Sequence, residues 1–228
     1  MKKLLPFLIL ILFLLPIAIS AQYYIFDFDT VGTHFAGDTI IITIHGHDSL
    51  NSPYNSIAEL HMTSPERITI LDYYNAPPMI RFNAAGDYQG RIMIKRASDS
   101  LELYVTIPIG TAENNCPPFT ILPGKANRLQ IILPGQENDA GNTNNRGRKW
   151  IAPFDCTAGI SFDATIYITD EYWNPRNTGN DTVSFGSSNS FPILPPDTFL
   201  TNGSDTLPFI LRTASANQTI SVSKPSFI

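Results

Sequence analysis

A chain of 228 residues with 20 acidic against 15 basic side chains carries a formal charge of -5, which excludes the dense positive surface a nucleic-acid partner requires. Two cysteines are too few for a disulfide scaffold, so each domain must hold together through its own apolar core. Eighteen prolines, with Asn, Gly and β-branched residues throughout, oppose helix beyond the first twenty or so residues and favour short strands joined by turns.

Residues 1–21 have the three parts of a secretory signal: Lys2 and Lys3, an apolar run over residues 4–17, and small residues at Ala18, Ser20 and Ala21. A membrane-spanning helix needs about 20 apolar residues. This run is shorter and carries Pro6 and Pro16, so the segment reads as a cleaved leader and the protein as secreted or cell-surface, with no membrane span in the mature chain.

From Gln22 the chain alternates at once, with Tyr24, Phe26 and Phe28 on one parity. Residues 36–48 then form a period-two strand in which Ile40, Ile42, Ile44 and Gly46 share one face and Thr43, His45 and His47 the other, as in a sheet with one buried and one wet side. Further strands are expected over residues 54–62, 67–73, 79–83, 88–95, 101–107 and 117–122, with breaks at Ser64-Pro65, Ala76-Pro77-Pro78, Ala85-Gly86-Asp87 and Asp99-Ser100. Pro123-Gly124-Lys125 is the natural boundary, too short for a floppy tether.

Residues 129–133 open a second unit. Residues 136–148 are the most polar stretch, expected as an exposed loop with local disorder, and Arg146, Arg148 and Lys149 cluster there. Residues 158–170 repeat residues 36–48 without a gap, from Ala158-Gly159 to Asp170, which implies one structural unit used twice. A turn over residues 170–177 follows, then strands over residues 182–185, 191–194, 207–212 and 219–223. Residues 225–228 resemble the opening of the last strand of the first unit, so the second unit has a truncated final strand, a reading that favours a piece of a longer array over a clipped edge.

Several residues could carry chemistry. His45 and His47 project from one strand face about 7 Å apart, and His61 would complete a zinc or copper trio if its strand paired alongside. Against this, the second unit has Tyr167 and Thr169 at the matching positions, and a wet face that happens to carry histidine is the simpler account. Asp48 and Asp170 could hold calcium, but one Asp and one Asn per loop supply too few oxygens, and both types are turn formers. Tyr172, Trp173, Asn174 and Arg176 could form an exposed tip that stacks a sugar or touches a protein; the alternative is a Trp packed back over the sandwich end. Cys116 and Cys156, one in each unit, could form a disulfide that ties the units together. Three Asn-x-Ser/Thr sequences, among them Asn180-Asp181-Thr182, fit glycosylation acceptors. No nucleophile elbow, His-Glu-x-x-His motif or phosphate loop is present, so the chain reads as non-enzymatic and without a cofactor.

Residues 119–124 (FTILPG), residues 129–135 (LQIILPG), the strand ending at Asp170, and Trp173-Asn174 together resemble the tandem immunoglobulin-like repeats of bacterial secreted and cell-surface proteins. The resemblance covers nearly all of the chain after the leader. It implies an all-β fold of two tandem immunoglobulin-like antiparallel β-sandwiches, residues 22–124 and 125–228, after a signal peptide at residues 1–21. It also implies a spacer or adhesion role at the bacterial surface, with other surface proteins or further immunoglobulin-like units as partners and no catalytic residues. The rival reading is a binding module, for a polysaccharide for instance, that accompanies an extracellular enzyme or surface complex. The exported protein is expected to begin at Gln22; N-terminal sequencing of the secreted chain reads this directly, and a retained Lys2-Lys3 leader would rule cleavage out.

Overall fold

The computed structural model describes residues 22–63, 68–149 and 152–224. The expected leader, the Ser64-Pro65 break and the closing residues 225–228 lie outside the described residues. The fold is all-β, with a single 3-10 turn at Asn144–Arg146 among the described residues.

The first half contains β1 (Tyr23–Phe28), β2 (Thr33–Phe35), β3 (Thr39–Asp48), β4 (Ile57–Met62), β5 (Ile68–Ile70), β6 (Met79–Arg81), β7 (Asp87–Ile94), β8 (Ser98–Leu101), β9 (Leu103–Thr106), β10 (Thr111–Asn115) and β11 (Phe119–Leu122). They assemble as a five-stranded sheet β10-β1-β3-β7-β5 and two three-stranded sheets, β6-β4-β9 and β2-β11-β8. Alternation decides which side chains meet. In β3 the side chains of Ile40, Ile42 and Ile44 are buried and His45 is exposed, and in β4 Ala58, Leu60 and Met62 are buried with Glu59 outside. The inward rows of both sheets fall into one core with Phe26, Ile80, Phe82, Ile92, Val105 and Ile121. Phe26, Tyr54 and Phe82 form its aromatic centre, with ring centroids 5.2 to 5.4 Å apart. A Cβ at Gly46 would lie 2.8 Å from the Phe26 ring, which explains why the inward row of β3 closes on a glycine.

The second half contains β12 (Arg128–Ile132), β13 (Ser161–Thr169), β14 (Asp181–Ser187), β15 (Thr198–Leu200), β16 (Ser204–Ile210) and β17 (Ile220–Ser223), in sheets β12-β13-β16 and β15-β14-β17. Its smaller core gathers Ile131, Ala164, Ile166, Ile168, Val183, Leu200 and Phe209, with Phe162 and Phe185 packed on the Phe209 ring. Among the described residues, strands pair only within each half.

The halves share their construction. β1, β3 and β7 neighbour one another antiparallel, as do β12, β13 and β16. Backbone bonds match too: Gly37 N–H to Ile94 O at 2.9 Å and Gly159 N–H to Leu211 O at 2.8 Å close one end of the sheet, while Gly46 N–H to Gly86 O and Ile168 N–H to Gly203 O, both 2.7 Å, close the other.

Several expectations are corrected. The first half is not purely antiparallel: β1 runs parallel to β10 and β2 parallel to β11. The chain changes sheet between β1 and β2 and again between β10 and β11, so its first and last segments lie side by side in the same sense. β2, expected as turn, and β10, Thr-Ala-Glu-Asn-Asn, carry no period-two apolar signal because little of them is buried. Residues 191–194 contribute only a bridge from Ile193 to Ile210. Replacing Phe209 by Ala is expected to destabilise the second half by about 3–5 kcal/mol; hydrogen exchange would show lost protection in β13 and β16, with β3 and β7 protected as before.

Candidate functional site

The Asp that closes each copy of the repeated strand builds the same turn. Asp48 Oδ1 accepts hydrogen bonds from Leu50 N–H and Ser52 N–H, each 2.8 Å. Asp170 Oδ1 accepts from Tyr172 N–H at 2.8 Å and Asn174 N–H at 3.0 Å. In both, the fourth residue is left-handed, Asn51 at φ 60 and Trp173 at φ 63, and the proline that follows, Pro53 or Pro175, bridges back to the strand at His47 or Thr169. This is Asx-turn chemistry. In each turn N–H donors occupy Oδ1 of the carboxylate.

The two turns differ in what surrounds them. The Asp48 turn is exposed, with Leu50 85% accessible. The Asp170 turn lies between the halves: Asp170 is 1% and Asn174 0% accessible. Asp170 Oδ2 accepts from Gly124 N–H and from Asn174 Nδ2, each 2.8 Å. Asn174 reaches across to the first half, accepting from Ala97 N–H at 2.8 Å and donating to Lys95 O at 2.9 Å. Arg176 donates to Gly124 O. The Tyr172 ring packs against the first core and over Gly37, where a Cβ would collide with it; Gly37 itself is left-handed at φ 89. The mouth of the joint is a cleft of about 490 Å³, lined by Asp38, Lys125, Glu171 and Arg176 among others.

The polar stretch expected as a disordered loop is ordered and props the turn from behind. Gln130, buried in β12, donates to the Arg146 and Gly147 carbonyls, both 2.9 Å. Asn138 donates to Gln130 Oε1 at 2.7 Å and to Trp173 O at 3.0 Å, and Gly141 N–H bonds Tyr172 O at 2.9 Å. The expected basic cluster is dispersed, because Arg148 turns inward to Ile131 O at 2.8 Å while Lys149 meets Glu137 at 3.1 Å. Burial holds the Arg148 guanidinium below its ordinary pKa.

Tyr172, Trp173, Asn174 and Arg176 therefore do not make an exposed tip. Trp173 is 8% accessible, pressed on Gly147 with the Arg128 guanidinium 4.8 Å from its ring centroid. Its Nε1 and Arg176 Nε are buried without a hydrogen-bond partner among the described residues.

The histidine trio does not assemble. His45 and His47 sit on the outer face of the five-stranded sheet, whereas His61 is on β4, in the facing sheet, and points outward there. Because the sheets share a core, their outer faces look in opposite directions. Among the described residues no group of three or more His, Cys, Asp or Glu could hold a metal. His45 Nδ1 meets Asp87 at 2.7 Å and His47 Nε2 meets Asp27 at 3.0 Å, while His61 stacks on Tyr104. The inter-unit disulfide is also corrected: Cys116 and Cys156 are both free. Cys116 packs beside Leu103 in the first half. Cys156 lies just before β13, whose far end enters the joint, so the length of that strand, roughly 30 Å, separates it from the first half.

No protein-family model matches the chain, and no curated protein matches it. Solved structures are similar at low identity. Domains 5-6 of the S-layer protein SbsC align with 12% identity and a TM-score of 0.29 over 86% of this chain and 88% of that one. Domains 4-9 of SbsC align with 14% identity and a TM-score of 0.30 over 87% of this chain and 29% of that one. A β-glucuronidase of Parabacteroides merdae aligns with 8% identity and a TM-score of 0.30 over 88% of this chain and 23% of that one.

The histidine–carboxylate contacts give the first half a pH signature. The hydrogen bond to Asp87 raises the His45 pKa above its ordinary 6.5. The Asp48 carbonyl, then Asp27, raise that of His47. Folding thus favours the protonated rings, a stabilisation complete below about pH 6.5 and lost as pH rises through the raised values. Thermal melts from pH 6 to 9 are expected to fall in midpoint through this window, and a His45→Gln, His47→Gln double variant to lose that slope.

Proposed function

We propose that this is an exported, non-enzymatic structural protein of the bacterial surface: two immunoglobulin-like β-sandwich domains, residues 22–124 and 125–228, that act as a spacer or adhesion module among other surface proteins or further such units. One observation carries the reading. The link between the halves is a buried, hydrogen-bonded joint, in which Asn174 is fully enclosed and spans Lys95 O and Ala97 N–H.

A binding domain on a tether has no need of such a joint; a spacer does, because it must transmit orientation. Opening the joint would strip Asn174 of Lys95 O and Ala97 N–H and Asp170 of its bond from Gly124 N–H, and such hydrogen bonds contribute about 0.5–1.5 kcal/mol each, or about 1.5–3 kcal/mol where a charged group takes part. The short Pro123-Gly124-Lys125 connection supports the same conclusion, since Gly124 uses both its N–H and its carbonyl inside the joint. The saccharide-binding alternative has lost its aromatic platform, because Trp173 is enclosed.

Small-angle X-ray scattering tests the reading. The wild-type curve is expected to fit one fixed arrangement of the halves. A Tyr172→Ala, Asn174→Ala double variant should instead require an ensemble of orientations, with the circular dichroism of the β fold retained. A wild-type curve that itself demands a broad ensemble would sink the spacer reading.

A further inference from the structure

The joint has two parts, a turn and a socket, and the molecule carries each part twice. In the first half the socket is Ala36, Gly37 and the segment after β7, whose Lys95 O and Ala97 N–H receive Asn174. The matching bonds from Gly37 to Ile94 and from Gly159 to Leu211 fix the correspondence in the second half. There Ala158 stands for Ala36, Gly159 for Gly37, Arg212 for Lys95 and Ala214 for Ala97.

That second socket is open. Ala158, Gly159, Arg212 and Ala214 are all exposed, and among the described residues no atom lies within 4 Å of where a Cβ on Gly159 would stand, although Gly159 keeps the same left-handed backbone at φ 82. In the first half the Tyr172 ring fills that space. The open socket borders a cleft of about 390 Å³ lined by Leu133, Ala158, Phe162, Leu211 and Ala214 among others. Phe154, 70% accessible, lines this cleft, and Ile160, next to Gly159 in the chain, is 61% accessible. A contiguous exposed apolar patch marks a contact surface.

The second turn is equally open. The Asp48 turn has the backbone of the Asp170 turn, with Leu50 where Tyr172 stands and Ser52 where Asn174 stands. We infer that the Asp48 turn of one copy docks in the Gly159 socket of another, giving head-to-tail chains that repeat between molecules the joint formed within each. Leu50 would cover Gly159 as Tyr172 covers Gly37. Ser52 offers a hydroxyl donor and lone pairs to the Arg212 carbonyl and the Ala214 N–H, and the Arg212 side chain stands at the position of Lys95, whose ammonium lies 6.0 Å from the Tyr172 ring centroid. The turn and the socket lie at opposite ends of the molecule, so the contact is heterologous and does not close on itself. Serine reaches less far than asparagine, which makes this contact weaker than the internal joint and its occupancy dependent on concentration. The inference extends the spacer reading without being required by it, since a monomer with a fixed internal joint would leave that reading standing.

Sedimentation velocity on the exported protein and two surface variants decides the matter. Leu50→Asp removes the turn's apolar contact and Ala158→Arg fills the socket; both replace exposed side chains, and circular dichroism checks that each folds. The wild-type weight-average sedimentation coefficient is expected to rise with concentration up to about 1 mM, the weak end of specific association. Each variant alone should stay monomeric. An equimolar mixture of the two should form one-to-one dimers and nothing larger, because each variant retains the end the other lacks. A wild type that is monomeric throughout, a variant that associates alone, or a mixture that stays monomeric or grows past the dimer would each overturn the inference.

Discussion

The carboxylate of Asp170 receives four hydrogen bonds from three directions. Two come from the backbone of its own turn, one from the Asn174 side chain and one from Gly124 in the connection between the halves. A buried carboxylate is tolerable only when its oxygens are fully partnered. That requirement ties together three separate facts: the turn must close, Asn174 must face inward, and the connection must pass directly over the turn. Asn174 then carries the constraint into the first half. The second half is thus fixed on the first through the Asp170 carboxylate, the Asn174 amide and the Arg176 guanidinium, with the Tyr172 ring covering Gly37 at the contact.

The same backbone serves two purposes because side chains, and not the turn, specify the contact. At the Asp48 turn the left-handed position is held by Asn51, a residue type that tolerates it. At the Asp170 turn it is held by Trp173, for which the conformation costs roughly 1–2 kcal/mol. The Trp173 ring offsets this by filling the space over Gly147 and stacking on Arg128, and its carbonyl is held by Asn138. The ordered loop from Gln136 onward supports that unfavourable backbone, which accounts for so polar a stretch being folded down against the domain.

Much of this was legible from residue order. The alternation in β3 assigned inside and outside correctly because one face of the sheet is buried and period two is unambiguous. The gapless match ending on Asp48 and Asp170 located both turns, and each carboxylate accepts the turn N–H groups expected of a turn-forming Asp. The strands without apolar alternation, β2 and β10, were not legible, since edge positions bury little and leave no pattern. The surroundings of Trp173 were not legible either. Whether an aromatic on a turn faces solvent depends on Gln130, Asn138 and Gly147, which lie 26 to 43 positions earlier in the chain and meet it only after folding. The separation of His61 from His45 and His47 likewise depends on which sheet β4 joins, a matter of topology that spacing does not encode. The Asn174 bridge had one faint signal: an Asn-Pro pair directly after the strand, where the first copy has Ser52-Pro53.

The two parallel strand pairs of the first half bear on how it would carry a load. β1 enters at the end that holds the Asp48 turn, and β11 leaves at the opposite end through Leu122 toward the joint. A pull applied along the molecule would draw β2 and β11 in opposite directions along their shared length, Thr33 to Phe35 against Thr120 to Leu122. Strands loaded this way slide in shear, so their cross-strand bonds resist together, whereas a hairpin pulled open from one end surrenders them one at a time. The crossover that blurred the strand pattern thus places the terminal strands in the geometry suited to bearing tension.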